Sequence, residues 1–335
     1  MRKFVVIGGG TGSFTVLRGL KKYDVDITAV VSMFDSGGST GLLRDEFGIL
    51  PPGDVRRALV ALAEENCENI IRELFTFRFE EKSSLKGHSF GNLFLAALSK
   101  TTGSFESALR ESSRILRVYG RVLPATSQSV RLIGQMSDGA TVVGESRIPN
   151  PGKRIERVML TPSNPLPTIQ AITAIEEAQI ITVGPGSLYT SIIPVLLVPE
   201  IASAIRVAKG LRVLIANIAT QWGETDGYSL RDHLNAIDEH AGAGLFDAIL
   251  VNNTLVPIVP SASPYAMLTC SDIAVNGIPV IPRSLVDIRS PWRHDIGALS
   301  SAFLEMSKML SAGPREKIII GLSEPARKVL ITAST

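Results

Sequence analysis

The sequence predicts an α/β fold: a mostly parallel sheet with helices on both faces and a small β-hairpin lobe. Three observations predict it. Short, unbroken apolar runs recur along the chain, as fully buried parallel strands do. The main ones pass through a glycine-rich turn into a segment whose apolar residues repeat at helical spacing. The alternation is interrupted once, by two strand-like runs joined through Ser137-Asp138-Gly139, a hairpin signal.

The elements follow in order. FVVI, Phe4 to Ile7, reads as a buried strand, and GGGTG, Gly8 to Gly12, as the turn into a helix with Val16, Leu17 and Leu20 on one face. A second strand covers Val25 to Met33, after the turn KKYD, and ends at a second glycine loop, DSGGSTG from Asp35 to Gly41. PPGD, Pro51 to Asp54, opens a helix with Asp54 as its N-cap and Val55, Ala58, Leu59 and Leu62 on a 3.6 period. Residues 69–120 are mainly helical, broken by the loop SSLKGHSFGN. The hairpin of Val130 to Arg147 and the proline-rich stretch Pro149 to Pro167 make the lobe, about residues 125–165. Thr168 to Glu177 then reads as a helix, IITV as a strand, and GPGSLYTS, Gly184 to Ser191, as a third glycine loop opening a helix. LRVLIANI and DAILVNN are later strands around a helix carrying RDHLNAI; VIPRSLVD and EKIIIGL supply edge strands. The expected organisation is one domain over 1–322 and a C-terminal tail over 323–335.

Composition narrows the function. With 335 residues, 45% hydrophobic and 20% charged, the chain has material for a large core and does not read as disordered. The 34 basic and 32 acidic residues leave a net charge of +2, which argues against a nucleic-acid coat. Cys67 and Cys270 have no CxxC spacing and offer neither a disulfide framework nor a zinc set, so a reducing cytoplasm is expected. Phe4 to Ile7 is too short for a signal core. Ser187 to Ala204 is interrupted by Pro194 and Pro199 and reads as a buried helix and turn, not a membrane span.

Three glycine loops at the carboxyl ends of strands argue for one shared site, because open α/β sheets bind ligands there. GGGTG puts Gly8, Gly10 and Ser13 in the G-x-G-x-x-G frame, so the third glycine is missing. It suits a phosphate cradle at a helix N-terminus, or a tight turn with no ligand. The G-K-[ST] ending of a P-loop is absent. Asp35 stands near the place of a ribose-binding acid, yet Gly37, Gly38 and Ser39 after it make a donor-rich loop suited to an anion. Asp35 could equally hold a divalent metal or form an Asx turn. Arg56 and Arg57 suit phosphate or carboxylate, with at least one of them expected in a plain structural or solvated place. His88 and Asn92 flank a helix start, His88 as a proton carrier or, more simply, a hydrogen-bonding structural residue. Gly184, Gly186 and Ser187 form a further anion cradle; Thr220, Gln221, Glu224 and Thr225 are natural base or sugar readers. Asp232 and His233 read more simply as part of a helix face, whereas Arg293 and His294 follow a proline turn that could close over a nucleotide. No Ser-His-Asp set, HExxH or glycosidase acid pair stands out.

Taken together, GGGTG, DSGGSTG, PPGDVRRAL, GHSFGNL, VGPGSLYTSIIPVLLV, TQWGETDGYSLRDHL and RHD, in order from about residue 4 to 297, resemble the YvcK-like branch of the CofD superfamily. The resemblance implies a Rossmann-like fold and a cytoplasmic, self-associating bacterial protein that binds UDP-sugars such as UDP-N-acetylglucosamine or UDP-glucose. It implies a regulatory link between carbon metabolism, cell shape and peptidoglycan synthesis, with cell-wall synthesis regulators as partners and neither nucleic acid nor a membrane span. The CofD branch instead transfers a phospholactyl group from a guanosine diphosphate donor to a deazaflavin, with magnesium. By motif position Gly10, Thr11 and Gly12, with the adjoining Gly9, would line the diphosphate, and Arg293 matches a family arginine that holds the UDP-sugar; Tyr265 is the nearest match to a family tyrosine. The family's Asp-Asp pair is Asp35-Ser36 here, one carboxylate fewer, which weakens a magnesium site and does less harm to a binding role. The expectation is therefore a nucleotide-sugar binder without assigned catalytic residues. A CofD-type transferase is the alternative, and an NAD(P)-dependent oxidoreductase a third.

Overall fold

The computed structural model describes residues 1–64, 69–80, 82–150, 152–255, 266–268, 270, 272–310. The chain starts with β1 (Arg2–Gly8), α1 (Gly10–Leu20) and β2 (Val25–Val31), followed by α2 (Gly38–Phe47), α3 (Gly53–Leu62), α4 (Asn69–Thr76), α5 (Phe90–Thr102) and α6 (Phe105–Ile115). It continues through β3 (Arg121–Pro124), β4 (Arg131–Met136), β5 (Thr141–Val143) and β6 (Ile155–Thr161) to α7 (Ile169–Glu177) and β7 (Ile180–Val183). A π-helical turn, Leu188–Ile192, leads into α8 (Ile193–Leu196) and α9 (Pro199–Val207), then β8 (Leu211–Ile215), α10 (Leu230–Ala241) and β9 (Ala248–Asn252). Last come β10 (Ala274–Val275), β11 (Ile278–Arg283), β12 (Val286–Asp287), β13 (Ser290–His294) and α11 (Ile296–Leu310).

The main sheet has the order β10-β11-β9-β8-β7-β1-β2-β3. Every pairing is parallel except that of β10 with β11. The alternation of β1 explains why it lies at the centre: Phe4 and Val6 pack against α1, α3 and α11 on one face, while Val5 and Ile7 pack against α7 to α10 and the lobe on the other. All four are at most 1% exposed, and burying each contributes on the order of 2 kcal/mol. From β1 the chain moves outward to β2 and β3, then returns to β7 on the other side of β1. The switch point of the sheet therefore lies between β1 and β7, with the first and third glycine loops above it.

The lobe is a three-stranded antiparallel sheet, β5-β4-β6, so the expected hairpin gains a third strand from the proline-rich stretch. Two further readings need correction, and two elements carry no clear sequence pattern. DSGGSTG is not a free loop, because Gly38 to Gly41 already form the first turn of α2. The segment Val280 to Asp287 is not one edge strand. Val280 to Arg283 end β11 and pair with β9, and β10 pairs with β11 only at Ile278 and Pro279. Val286 and Asp287 belong to a separate ribbon with β13, and β3 holds one edge of the main sheet. Strand β3 is four residues ending in Pro124, too short to carry a pattern. Helix α11 lies beyond the expected elements, and its Leu299, Phe303 and Met306 fill the face beside α1. Cys67, EKIIIGL, Tyr265 and the tail 323–335 lie outside the described residues.

Among the described residues no single helix is long and apolar enough to cross a membrane. The apolar stretch after the third glycine loop is a pair of helical segments bent by 76°, and its π-turn and α8 are buried in the core, as the two prolines predict.

Candidate functional site

The site begins with the abrupt change from β1 to α1. Gly9 is the N-cap of α1, so the amides of its first turn have no intrahelical acceptor. Asp54 takes one of them: its Oδ1 accepts from the Gly10 N–H at 3.0 Å and from Arg57 Nη1 at 3.0 Å. Asp54 was expected to cap its own helix, but Pro52 occupies that place and the carboxylate reaches across to brace the glycine turn. It lies so close to Gly9 that a Cβ there would collide with it. Burial pushes the Asp54 carboxyl up, against the pull of Arg57. Thr11 and Gly12 lie in the first turn of α1, where a helix N-terminus favours negative charge.

The third glycine loop closes against the first. A Cβ on Gly12 would overlap the Pro185 carbonyl, and only a bare backbone fits that contact. Asn217, just past β8, fixes the loop from the other side: its Oδ1 accepts from Gly186 N at 3.0 Å and its Nδ2 donates to Gly186 O at 2.8 Å. Gln221 Nε2 donates to Ser187 Oγ at 2.9 Å. Between these segments opens a cleft of about 280 Å³, lined by Gly9 to Gly12, by Gly186 and Ser187, and by Thr220 and Gln221. Its remaining wall is Trp292, Arg293 and His294, which lie on β13 of a two-stranded ribbon and not on a proline turn. Burial lowers the His294 imidazole to about 4, so it is neutral at pH 7.

A second cavity of about 240 Å³ shares Gly10, Thr11 and Ser187 with the cleft and runs toward the lobe. Its walls are acidic, carrying Asp35, Asp54 and Glu145, with Arg57 the only cation among them. Glu145 comes from the lobe, which is latched to the body where Ser36 Oγ accepts from Ser146 N at 3.2 Å. Burial, together with Asp35 and Asp54, raises the Glu145 carboxyl to about 8. Among the described residues no three His, Cys, Asp or Glu side chains gather as a metal site.

The expected phosphate ligands of the second loop lie elsewhere. Gly37 N donates to Asp35 Oδ1 at 2.9 Å, an Asx turn. Ser39 Oγ bonds His88 Nδ1 at 3.2 Å, and Asn92 Nδ2 reaches Ser39 at 3.4 Å and Thr40 at 3.3 Å. Asn92 Oδ1 accepts from Arg56 Nε at 2.9 Å, and Arg56 Nη1 donates to Phe75 O at 3.1 Å. Arg56 is buried, which lowers its guanidinium to about 10. This network ties α2, α3 and α5 together inside the protein, and neither cavity is lined by Gly37, Gly38, Ser39 or Asn92. Gly184 likewise lines neither, since its N–H continues the sheet to Ile7 O at 2.9 Å. Glu224 is buried with its Oε1 accepting from Tyr189 N at 2.7 Å and Thr190 N at 3.2 Å, and burial raises it to about 7. Asp232 completes a capping box with Ser229 and so belongs to its helix, as the plainer reading had it.

Sequence reasoning missed Asn217, Trp292 and Glu145. Asn217 was legible as the first polar residue after a buried strand, and Trp292 as an aromatic beside Arg293. Glu145 carried no signal, because its place depends on how the lobe folds back.

A family model described as 2-phospho-L-lactate transferase CofD matches residues 4–273. A gluconeogenesis factor of Halalkalibacterium halodurans is 51% identical over 312 residues, covering 91% of this chain and 96% of that protein. One from Bacillus subtilis is 44% identical over 314 residues, covering 91% and 98%. A putative gluconeogenesis factor of Nostoc sp. is 53% identical over 251 residues, and there the match spans 75% of this chain and only 55% of the Nostoc protein. The crystal structure of a UPF0052 family protein from Bacillus halodurans superposes with a TM-score of 0.84 at 43% identity, covering 91% of this chain and 100% of that one.

Proposed function

Because the chain belongs to the CofD family, in its YvcK-like branch of gluconeogenesis factors, we propose that it binds a nucleotide diphosphate-sugar in the cleft at the switch point. UDP-N-acetylglucosamine and UDP-glucose are the ligands of this reading, and its work is regulatory, in the cytoplasm, linking carbon metabolism to cell-wall synthesis and cell shape. One observation carries it: the glycine turn that opens α1 and Arg293 line the same cleft. The Thr11 and Gly12 amides supply donors for a diphosphate, and Arg293 supplies a fork for its second phosphate or the sugar side. Thr220 and Gln221 stand where a base or sugar would meet polar groups. The missing third glycine of the dinucleotide frame weighs against a nicotinamide cofactor.

A second reading, a CofD-type transferase, draws on the acidic cavity. Asp35 and Asp54 fit a magnesium ion that completes its shell with water and ligand phosphates, which is how this ion is usually held. Bound there, magnesium would supply charge neutralisation at the diphosphate. Arg57 and Asp54 would orient the phosphate end, and the Glu145 carboxyl would carry a proton beside it.

Thermal melting with UDP-N-acetylglucosamine, UDP-glucose, GDP and NADP, each with and without magnesium, separates the readings. A ligand at about 100 times its Kd adds about 2.7 kcal/mol. A shift with a UDP-sugar supports binding; a shift only with GDP and magnesium replaces it with the transferase. Arg293→Ala is expected to abolish the UDP-sugar shift and leave the ligand-free melt nearly unchanged. An undiminished shift in that variant removes Arg293 from the site. Self-association belongs to the same reading, and light scattering of the purified chain checks it.

A further inference from the structure

A cavity of about 400 Å³ opens between the lobe and the segment Trp222–Tyr228, and it shares no lining residue with the nucleotide cleft or the acidic cavity. Its volume falls in the range of small-molecule sites, about 300–1,000 Å³. Lys153 and Arg154 come from the lobe side; Trp222, Asp226 and Tyr228 come from the body; Glu224 belongs to the wall between.

The walls are braced. Asp226 Oδ2 accepts from Gly223 N at 2.6 Å, and Asn150 N donates to Gly223 O at 3.0 Å, which ties the lobe to this segment. The Arg154 guanidinium lies 5.9 Å from the centre of the Tyr228 ring, whose hydroxyl is 2.9 Å from that of Tyr189. Trp222 stays 57% exposed, a large flat apolar ring left beside carboxylates and cations. Charges of both signs line the cavity, so a simple ion of either sign meets a like charge. A pyranose ring fits better: its C–H face lies against an indole, and its hydroxyls donate to carboxylates and accept from Arg154, while Lys153 is held by Asp138 at 2.7 Å.

Glu224 also faces the other way. Glu224 lines this cavity, its carboxylate holds the amides of Tyr189 and Thr190, and Thr190 lines the acidic extension of the nucleotide cleft. We propose that the cavity is a second ligand site, for a free pyranose sugar, and that Glu224 links its occupation to the Ser187–Ser191 loop of the nucleotide cleft. The link rests on the nucleotide-binding reading; the sugar site does not.

Calorimetric titration of the full chain with D-glucose, N-acetylglucosamine and glucose 6-phosphate tests the site, the third sugar separating a phosphorylated ligand from a neutral one. At least one is expected to give saturable binding, weakened about tenfold by Trp222→Ala and by Asp226→Asn. Trp222 is exposed and an Asn oxygen can still accept from Gly223, so both variants keep the fold. Absence of saturation with all three up to about 0.1 M overturns the site, as does binding that neither variant weakens. UDP titration with and without saturating sugar tests the link: its affinity is expected to change by about threefold or more. An unchanged affinity overturns the link, and mutual exclusion of UDP and sugar overturns a separate site. If the sugar binds and UDP does not, the sugar site stands, while the nucleotide reading and the link both fail.

Discussion

The two glycine loops GGGTG and DSGGSTG look alike in sequence, each following a parallel strand and each running into a helix. Their fates differ. The first sits at the switch point between β1 and β7, where Gly12 packs against Pro185 and the amides around it face a cleft. The second sits one strand further out, after β2, where the lobe latches over Ser36 and the hydroxyls of Ser39 and Thr40 turn inward to Asn92. Glycine and hydroxyl content makes a backbone approachable. The neighbour across the sheet decides whether anything but protein approaches it.

Alanine in each loop tests this contrast most strongly. Gly12→Ala must displace the Pro185 backbone and is expected to cost about 3 kcal/mol in urea unfolding. Gly38 has φ +43 and open space around it, so Gly38→Ala is expected to cost only the left-handed backbone, about 1 kcal/mol. Equal costs would mean that the third loop yields and the two regions are not distinct. Asn92→Ala comes next, because it strips partners from Ser39, Thr40 and Arg56 inside the protein; about 2 kcal/mol is expected, read as a lower ligand-free Tm. The UDP-sugar shift should survive that change, and its loss from a folded variant would bring the second loop back into the site.

The smallest effect concerns the lobe that covers the second loop. The Glu145 carboxyl stands at about 8 in the folded chain against 4.5 for an ordinary glutamate, so the folded state keeps a proton that the unfolded state releases. That contribution is fully present below about pH 4.5 and is lost as pH rises through about 8. Glu224, at about 7, and Asp54, also raised, slope the same way, so the measurement is the difference between the wild type and Glu145→Gln. From about pH 5 to pH 9 the wild type should lose no more than about 1.4 kcal/mol relative to the variant, since Glu145 is partly exposed. Parallel pH curves would place Glu145 in solvent and leave the acidic cavity with two carboxylates.

How much of this was legible depended on the range of each interaction. The strands IITV, LRVLIANI and DAILVNN declared themselves, because strands buried on both faces read as short, mostly apolar runs despite single polar residues such as Thr182 and Arg212. β3 did not, since its four residues are defined only by pairing with β2. Asp54 shows the limit in one side chain. By position it reads as a helix cap; in the fold it reaches from α3 to the Gly10 amide, a partner 44 residues away in the chain.

From the sequence alone came the parallel α/β layering, the hairpin lobe, the strand-to-helix turns at the first and third glycine loops, and the family. These follow from short-range regularities: hydrophobic period, turn residues and motif order. Only the tertiary structure decided that the second loop is a helix start, that Asn92 and Arg56 are internal struts, and that Glu145 and β13 complete the walls. Those facts turn on which surfaces meet after folding. A side chain's partner across a sheet or from a lobe is set by packing of the whole chain, and no local pattern in GGGTG or DSGGSTG records it.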